Sequence, residues 1–175
     1  MTHSIFMERV NNLSEQTVQL CYHCHKCTAG CPVAPEMEYG PDRILRLVQL
    51  GEKERVLTSG DIWVCASCET CGTRCPNEIN IAEVMDALRA LSLAEGYRAP
   101  ESAAPAFHSL FLSTVKLVGR MHEASLLARY MLKNMGLIAD VPSGAQMFFK
   151  GKLPLLPHRT KRMEEIKRIF RETGS

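Results

Sequence analysis

The eight cysteines of the chain fall into two groups of four with the same spacing. They lie at positions 21, 24, 27 and 31 and again at 65, 68, 71 and 75. Each group reads C-x2-C-x2-C-x3-C, and Pro32 or Pro76 follows its last cysteine. This run is typical of proteins that bind 4Fe–4S clusters, because three closely spaced thiolates on one loop can reach three corners of a cubane.

The fourth cysteine of each group is expected to ligate the other group's cluster. It lies too far along the chain to reach the first cubane comfortably, and two-cluster proteins use it for the second. We therefore expect two 4Fe–4S clusters, one on Cys21, Cys24, Cys27 and Cys75, the other on Cys65, Cys68, Cys71 and Cys31. All eight cysteines are then cofactor- and metal-binding residues. None is left as a nucleophile, and no catalytic residue is predicted.

Two structural zinc sites are the alternative interpretation of the cysteines. Zinc modules are commonly built from two C-x2-C pairs, and a longer loop usually separates the pairs. A third cysteine crowded into the same turn does not fit that pattern. The spacing therefore favours iron–sulfur clusters over zinc.

Composition limits the class of protein further. The chain has 175 residues, 46% of them hydrophobic and 23% charged, as in a globular protein. Its net charge of +2 argues against a strongly basic nucleic-acid binder. We expect no membrane span, because no apolar run approaches about 18 residues. Without a secretory signal, eight cysteines indicate free thiols in a reducing compartment, so we expect a cytoplasmic protein.

The segments around the cysteines predict helices. Gly40-Pro41-Asp42 begins one helix, whose apolar face covers residues 44–50, and a shorter piece is expected over 52–57. Asn80 precedes a helix over 81–95, and Glu83 three residues later resembles a capping box. No segment between the two groups alternates like a strand pair. We therefore expect an all-α protein, with an alpha-helical ferredoxin domain that holds both clusters.

The remainder predicts a C-terminal helical extension. Residues 97–106 contain two prolines and suggest a hinge. The pattern predicts helices over 107–118, 123–135 and 163–171, and a proline-interrupted apolar segment over 147–157. The predicted domains are a dicluster ferredoxin domain, 1–98, and a partner-docking helical extension, 99–175.

Charge is divided unevenly between the two predicted domains. Residues 1–98 carry a net charge of −4 and residues 99–175 a net charge of +6. The basic side chains near the end suggest either a solvated helix face or a docking surface for an acidic partner. They are Arg159, Lys161, Arg162, Lys167, Arg168 and Arg171.

Other motifs add little. The sequence contains neither a glycine-rich dinucleotide motif nor a phosphate-binding loop. His23 and His25 lie between the first cysteines, where they either tune a cluster through hydrogen bonds or face solvent; neither is predicted as a ligand. Trp63 is expected to pack in the core beside a cluster. Two clusters without a substrate site indicate one-electron transfer, which requires a donor and an acceptor.

Three segments resemble the C subunit of heterodisulfide reductase. They are CYHCHKCTAGCP at 21–32, IWVCASCETCGTRCPNEINIAEVMDALR at 62–89, and GKLPLLPHRTKRMEEIKRIF at 151–170. The same cluster domain occurs in the iron–sulfur subunits of succinate dehydrogenase, fumarate reductase and glycolate oxidase. Those proteins carry further cysteine-containing segments for which this chain has no cysteine left, so the resemblance favours the heterodisulfide reductase family.

The resemblance implies membership of a cytoplasmic hetero-oligomeric oxidoreductase. In that family a flavin-containing A subunit passes electrons to the C subunit, which passes them to a B subunit that cleaves a disulfide. The expected partners are therefore a flavoprotein like the A subunit and a disulfide-reducing protein like the B subunit. The alternatives are a free-standing ferredoxin-like carrier, or an iron–sulfur subunit of another quinone- or thiol-linked oxidoreductase. The segment after residue 98 favours a complex, because a diffusible carrier has little use for it.

Overall fold

The structure of the protein is a computed structural model that describes residues 2–97, 103–133, 146, 150 and 160–173. The regular elements in these ranges are helices, and no strand occurs among them. The all-α fold class is therefore confirmed. The chain divides into two compact units, residues 1–102 and 103–175. Cluster binding by 1–98 and partner docking by 99–175 stay predictions.

The first unit combines two longer helices, one at its start and one at its end, with several short helices between them. Its α-helices are α1 (Thr2–Ser14), α2 (Lys26–Ala29), α3 (Pro41–Gln49), α4 (Lys53–Leu57), α5 (Asp61–Val64), α6 (Thr70–Thr73) and α7 (Ile81–Ala94). Two 3-10 turns, Val18–Leu20 and Ala34–Glu36, connect them. Helix α1 packs against α3 and α7, α4 and α5 pack against α7, and α2 contacts α3 and α6. The helices α2 and α6, which carry cysteines, therefore meet each other.

The buried core of this unit is aliphatic. Val10, Ile44, Ile62, Met85 and Leu88 are completely shielded from solvent. They come from α1, α3, α5 and α7, so the core joins the elements that flank both cysteine groups. Burial of each such side chain contributes about 1.5–3 kcal/mol to the free energy of folding.

Helix α3 confirms the prediction made from Gly40-Pro41-Asp42. Pro41 occupies the first helical position, where its missing N–H leaves no hydrogen bond unmade. Gly40 has a φ of 78°, a left-handed conformation that glycine adopts without strain. The predicted apolar face is buried at Ile44 and Val48. The short helix expected over 52–57 is also present, as α4.

The start of α7 is capped, but the capping box is wrong. The side chain of Asn80 accepts a hydrogen bond from the backbone N–H of Ala82 at 3.2 Å, as a cap residue does. Glu83 does not reach back to Asn80. Its carboxylate accepts from the Gln16 side-chain amide at 2.5 Å, while the Asn80 N–H donates to the Gln16 Oε1 at 2.9 Å. Gln16, which follows α1, replaces Glu83 in the box and ties α1 to α7.

Helix α1 was not predicted from the sequence. Its inward face consists of Phe6, Val10 and Ser14, spaced four residues apart and all buried. The Ser14 hydroxyl donates to the Val10 carbonyl at 2.7 Å, so this polar residue is satisfied inside the helix. A serine on the apolar stripe obscures the helical period in the sequence.

A buried carboxylate fixes the segment that leads into α3. Asp61, at the start of α5, is 2% exposed. Its two oxygens accept from the backbone N–H groups of Glu38, Tyr39 and Gly40, each at 2.8 Å. These donors belong to the segment that links the first cysteine group to α3. Asp61 therefore fixes that segment against the helix that leads into the second group.

The second unit contains α8 (Ala103–Val118), α9 (Glu123–Lys133) and α10 (Met163–Glu172). Helix α8 packs against both of the others. Phe107 meets Tyr130 edge to face at 5.8 Å between ring centroids, and Lys116 lies 5.4 Å from the centre of the Phe170 ring. Gly119 separates α8 from α9 as expected. A Cβ at this position would come within 2.7 Å of the Thr160 side chain, so the close approach requires glycine.

Part of the predicted hinge is wrong. Helix α8 begins at Ala103, so residues 103–106 are helical. Pro105 lies in its first turn, where proline is tolerated because no intrahelical partner is lost. Residues 98–102, the predicted helix end at 134–135, and most of the apolar segment over 147–157 lie outside the described residues.

Several of the basic side chains on α10 and just before it have acidic neighbours. Arg162 pairs with Glu165 at 3.2 Å, and Lys167 pairs with Glu164 at 3.0 Å. Arg168 lies 3.9 Å from Glu172. All these side chains are more than half exposed, so the pairs stabilise the helix only slightly.

Replacing Asp61 should test its anchoring role. The substitution Asp61→Ala leaves three N–H groups without their acceptor, that of Gly40 buried and the other two partly buried, so we expect the free energy of unfolding to fall by about 3 kcal/mol. Thermal unfolding followed by circular dichroism measures the change. The control is Glu8→Ala on α1, whose side chain is exposed and whose loss should change stability by less than about 0.5 kcal/mol. Equal effects of the two variants would contradict the anchor.

Candidate iron–sulfur site

The first cysteine loop, residues 21–31, turns sharply between its ligands. Cys21 ends the 3-10 turn Val18–Leu20, and Cys27 lies within α2. Between them, His23 and His25 both have a φ of 60°, in the left-handed region that side chains other than glycine rarely adopt. Two left-handed residues therefore bend the backbone sharply between the first and third cysteines.

The second cysteine loop, residues 65–75, repeats this conformation. Cys65 directly follows α5, and Cys71 lies within α6. Ser67 and Glu69 have φ values of 49° and 58°, and they hold the same positions relative to Cys65 as His23 and His25 hold relative to Cys21. The repeat of cysteine spacing is therefore also a repeat of backbone conformation.

A small cavity brings together cysteines of both loops. Its walls include Cys31 from the end of the first loop and Cys65, Cys68 and Cys71 from the second. The remaining walls are largely apolar, with side chains such as Pro32, Val33, Pro41, Ile81 and Met85. Four thiols thus face a water-poor space between α6, α7 and the 3-10 turn Ala34–Glu36.

The first loop likewise has a cysteine of the second loop, Cys75, as its neighbour. Burial raises the pKa of the Cys21 thiol, and the nearby Cys75 and Cys24 thiols raise it further. The side-chain amide of Asn77, two residues after Cys75, donates to the Leu20 carbonyl next to Cys21. The end of the second loop is therefore held beside the start of the first.

Burial dominates the chemistry of the inner thiols. It raises the pKa of Cys27 to about 11, and it raises the pKa of Cys71, with smaller contributions from Cys65 and Cys31. The exposed Cys68 differs, because a hydrogen bond from the Thr70 hydroxyl at 3.4 Å lowers its pKa. Only thiolates ligate metals, so the buried thiols release protons when a cluster binds.

The residues fit iron–sulfur clusters better than zinc. All eight cysteines are free, so none is withdrawn into a disulfide. Among the described residues, no three histidine, cysteine or acidic side chains converge closely enough to hold a single metal ion. Four soft thiol ligands around a cavity suit a cubane, whose corners lie farther apart than the ligands of one ion.

Gln49, the last residue of α3, holds the first loop in place. Its amide nitrogen donates to the carbonyls of Val18 and Cys21 at 2.9 and 3.0 Å. Its Oε1 therefore faces the other way and accepts from His23 Nε2 at 2.8 Å. This assigns the proton of a neutral His23 ring to Nε2 and leaves Nδ1, which lies 3.9 Å from the Cys21 sulfur, as an acceptor.

Arg89 on α7 holds the second loop in the same way. Its guanidinium donates to the Ile62 carbonyl at 2.5 Å and to the Cys65 carbonyl. It also donates to the Ser67 hydroxyl at 3.2 Å. These three groups occupy the positions that Val18, Cys21 and His23 occupy in the first loop. The two loops thus have equivalent hydrogen bonds from donors of different charge.

Asp42 connects the first loop to α3. It is 4% exposed and accepts hydrogen bonds from the Thr28 hydroxyl and, at 2.7 Å, from His25 Nδ1. His25 is otherwise mostly exposed, while His23 bonds Gln49, so both histidines have structural hydrogen bonds near the cysteines. Trp63 packs against the core as predicted, and its buried indole N–H has no hydrogen-bond partner within the described residues.

Sequence reasoning missed the residues that hold the loops. Gln49, Arg89 and Asn77 are polar residues without a motif of their own. Asp42 was recognised only as an acid at a helix start. One signal was available, because the two loops repeat and each therefore needs donors for the same carbonyls.

Comparison with known proteins agrees with this site. Residues 6–80 match a family model described as a 4Fe-4S dicluster domain. The chain is 35% identical over 102 residues to the iron-sulfur C subunit of the CoB–CoM heterodisulfide reductase of Methanopyrus kandleri, covering 54% of this chain and 53% of that protein. It is 26% identical over 170 residues to the C subunit of the H(2):CoB-CoM heterodisulfide,ferredoxin reductase of Methanothermobacter marburgensis, covering 97% and 82%.

The chain is similar to the C subunits of heterodisulfide reductases. A third relative is the C subunit of the ferredoxin/F(420)H(2)-dependent CoB-CoM heterodisulfide reductase of Methanosarcina acetivorans, 37% identical over 81 residues. That match covers 46% of this chain, and the chain spans about half the length of the Methanopyrus and Methanosarcina relatives. The match to a dicluster domain agrees with the two 4Fe–4S clusters that the cysteine spacing predicts.

The helices give no sign of a transmembrane segment. In the described part of the chain, none has both the length and the apolar character needed to cross a bilayer.

Replacing Gln49 should loosen the first loop selectively. In Gln49→Ala the Cys21 carbonyl loses its side-chain donor and the Val18 carbonyl keeps only the backbone N–H of Cys21. Amide hydrogen exchange over residues 21–27 should therefore become about tenfold faster, which corresponds to about 1.4 kcal/mol in the free energy of local opening. Exchange measured by mass spectrometry on the cluster-loaded chain gives the rate. Gln146→Ala, at an exposed glutamine outside the first unit, is the control. Uniform acceleration across both loops would show that Gln49 has no local role.

Proposed function

We propose that this chain is the electron-relay subunit of a heterodisulfide-reductase-like complex, with crossed ligation of its two clusters. The observation that carries the ligand assignment is the single cavity shared by Cys31 and three cysteines of the second loop. The first-loop cluster is the one on Cys21, Cys24, Cys27 and Cys75. The second-loop cluster is the one on Cys65, Cys68, Cys71 and Cys31.

Two further observations support the crossed assignment. Cys75 acts electrostatically on Cys21, and Cys31 acts on Cys71, so each fourth cysteine neighbours the opposite loop. Helices α2 and α6, which carry the third cysteines, also contact each other. Crossed ligands of this kind join the two halves of the domain and keep the clusters close.

Different residues of the chain have different roles in the proposed electron relay. When bound, each cluster takes up and releases one electron. The cysteine thiolates hold the clusters, apolar side chains such as Ile81 and Met85 exclude water from the second, and Gln49 and Arg89 fix the loops. No cysteine remains to attack a disulfide, so any disulfide chemistry belongs to another chain.

The partners follow from the family. We propose a flavoprotein like the A subunit as electron donor and a disulfide-reducing protein like the B subunit as acceptor, in a cytoplasmic hetero-oligomer. The names of the relatives support a multisubunit enzyme, since each is designated as the C subunit of a heterodisulfide reductase. The second unit, residues 103–175, is our candidate for the docking element.

The crossed assignment predicts different effects for Cys31→Ser and Cys75→Ser. The wild-type chain should carry about eight iron and eight acid-labile sulfide ions. Cys31→Ser should alter or lose the second-loop cluster and leave the first, and Cys75→Ser should do the reverse. Iron and sulfide analysis with electron paramagnetic resonance of the reduced protein measures this. Loss of the first-loop cluster in Cys31→Ser would mean that each loop binds its own fourth cysteine.

The complex predicts stable partners. Anaerobic purification of the tagged full chain from its native cells should recover a flavoprotein and a cysteine-rich protein in fixed ratio, identified by mass spectrometry and flavin analysis. Because the extension carries excess positive charge, high salt should weaken the assembly. A chain that elutes alone at low salt would instead indicate a free ferredoxin-like carrier.

A further inference from the structure

The two cysteine loops have the same backbone conformation but lie in different electrostatic surroundings. We propose that Arg89 and Asp42 set unequal reduction potentials for the two clusters, with the second-loop cluster at the higher potential. This inference rests on the proposed two-cluster relay and its ligand assignment. Reduction adds negative charge to a cluster, so a nearby cation favours the reduced form and a nearby anion disfavours it.

Arg89 brings positive charge to the second loop. Its side chain is 17% exposed, and two of its nitrogens point at the carbonyls of Ile62 and Cys65. Its acidic partner Asp86, at 2.8 Å, also accepts from the Ser67 hydroxyl at 3.5 Å, but it is 60% exposed. Water screens that carboxylate strongly, so it compensates only part of the guanidinium charge on the side of the loop.

Asp42 brings negative charge to the first loop, where the equivalent donor Gln49 is neutral. The carboxylate is buried, and its charge contributes to the raised pKa values of Cys21 and Cys27, after burial. Its donors Thr28 and His25 are neutral at a pH where imidazole is uncharged. The start of α3 offsets part of this charge, since helix N-termini carry partial positive charge.

Hydrogen bonds to sulfur occur in both loops and do not separate the two clusters. In the second loop, the Thr70 hydroxyl lies 3.4 Å from the exposed Cys68 sulfur and lowers that thiol's pKa. In the first loop, the backbone N–H of His23 lowers the pKa of Cys21, and the backbone N–H and hydroxyl of Thr28 lower that of Cys27. The unequal potentials therefore rest on the charges of Arg89 and Asp42.

The remaining charges near the loops do not reverse this order. Lys26, Glu69 and Arg46, which donates to the Gln49 Oε1 at 3.2 Å, have signs that oppose it, but all three are exposed and screened by water. Arg74 precedes Cys75, and its side chain lies against Gly30, next to Cys31. It therefore neighbours the fourth ligand of each cluster and favours neither.

The direction of internal electron transfer follows from this order. One electron leaves the first-loop cluster, which is oxidised by one, and enters the second-loop cluster, which is reduced by one. The electron donor is therefore expected to dock nearer the first loop, and the acceptor nearer the second.

A redox titration of the loaded full chain tests this proposal. With dye mediators at about pH 8, electron paramagnetic resonance should show two midpoint potentials. Arg89→Gln replaces the charged donor of the second loop by a neutral amide like that of Gln49. The higher midpoint potential should therefore fall. At a fixed potential the ratio of oxidised to reduced cluster should change about tenfold, or 59 mV. Asp42→Asn keeps an acceptor for Thr28 and should raise the lower midpoint.

Control variants separate charge from loop geometry. Arg89→Lys keeps the charge and loses the forked hydrogen bonds, so it should largely restore the higher midpoint. Arg43→Gln removes a charge at an exposed position of α3 and should shift neither midpoint. If Arg89→Gln does not load both clusters, Asp42→Asn decides alone, and an unchanged lower midpoint overturns the proposal.

Other results would also overturn the proposal. They are equal midpoints in the wild type, a fall in the lower midpoint in Arg89→Gln, or an equal fall in Arg89→Lys. Failure of the proposed function looks different. It would appear as fewer than two clusters in the wild type, or as loss of the wrong cluster in Cys31→Ser, before any potential is compared.

Discussion

The structure of the first unit depends on hydrogen bonds from helix side chains to the carbonyls of two tightly turned loops. Left-handed residues in each loop interrupt regular hydrogen bonding, and the carbonyls at and before the first cysteine need donors from elsewhere. Gln49 and Arg89 supply them from α3 and α7. These helices are in turn fixed by the aliphatic core and by Asp61. The geometry of the cysteines is therefore set by the packing of the helices.

Cluster binding and thiol chemistry are coupled in this arrangement. The inner thiols are buried, which keeps them protonated in the absence of metal; for Cys27 the pKa is about 11. A cluster replaces those protons with iron, so the same burial that disfavours a bare thiolate surrounds the bound cluster with apolar side chains. Exclusion of water then strengthens every remaining electrostatic interaction with the cluster. This is why a single buried carboxylate or guanidinium counts near these loops, while exposed charges on α10 count little.

The sequence predicted the parts of the fold that have local signals. Pro41 and Gly40 marked the start of α3, Asn80 marked the start of α7, and regular cysteine spacing marked both loops. The predictions were wrong or silent where long-range contacts decide. Gln16 displaces Glu83 from the capping box, Ser14 interrupts the apolar stripe of α1, and Pro105 lies in the first turn of a helix where a hinge was expected. The roles of Arg89 and Asp42 were missed because they depend on contacts with residues that are distant in the sequence.

The exposure of Cys68 affects how the protein reacts with oxidants. It is the exposed member of its group, and the Thr70 hydroxyl favours its thiolate. Exposed, easily ionised sulfur is what peroxide and oxygen attack first, through sulfenic acid, which condenses with a neighbouring thiol to form a disulfide. Cys65 and Cys71 line the same cavity, so either can be the neighbouring thiol that forms the disulfide. When no cluster is bound, oxidative damage should therefore begin at Cys68, at the rim of this cavity.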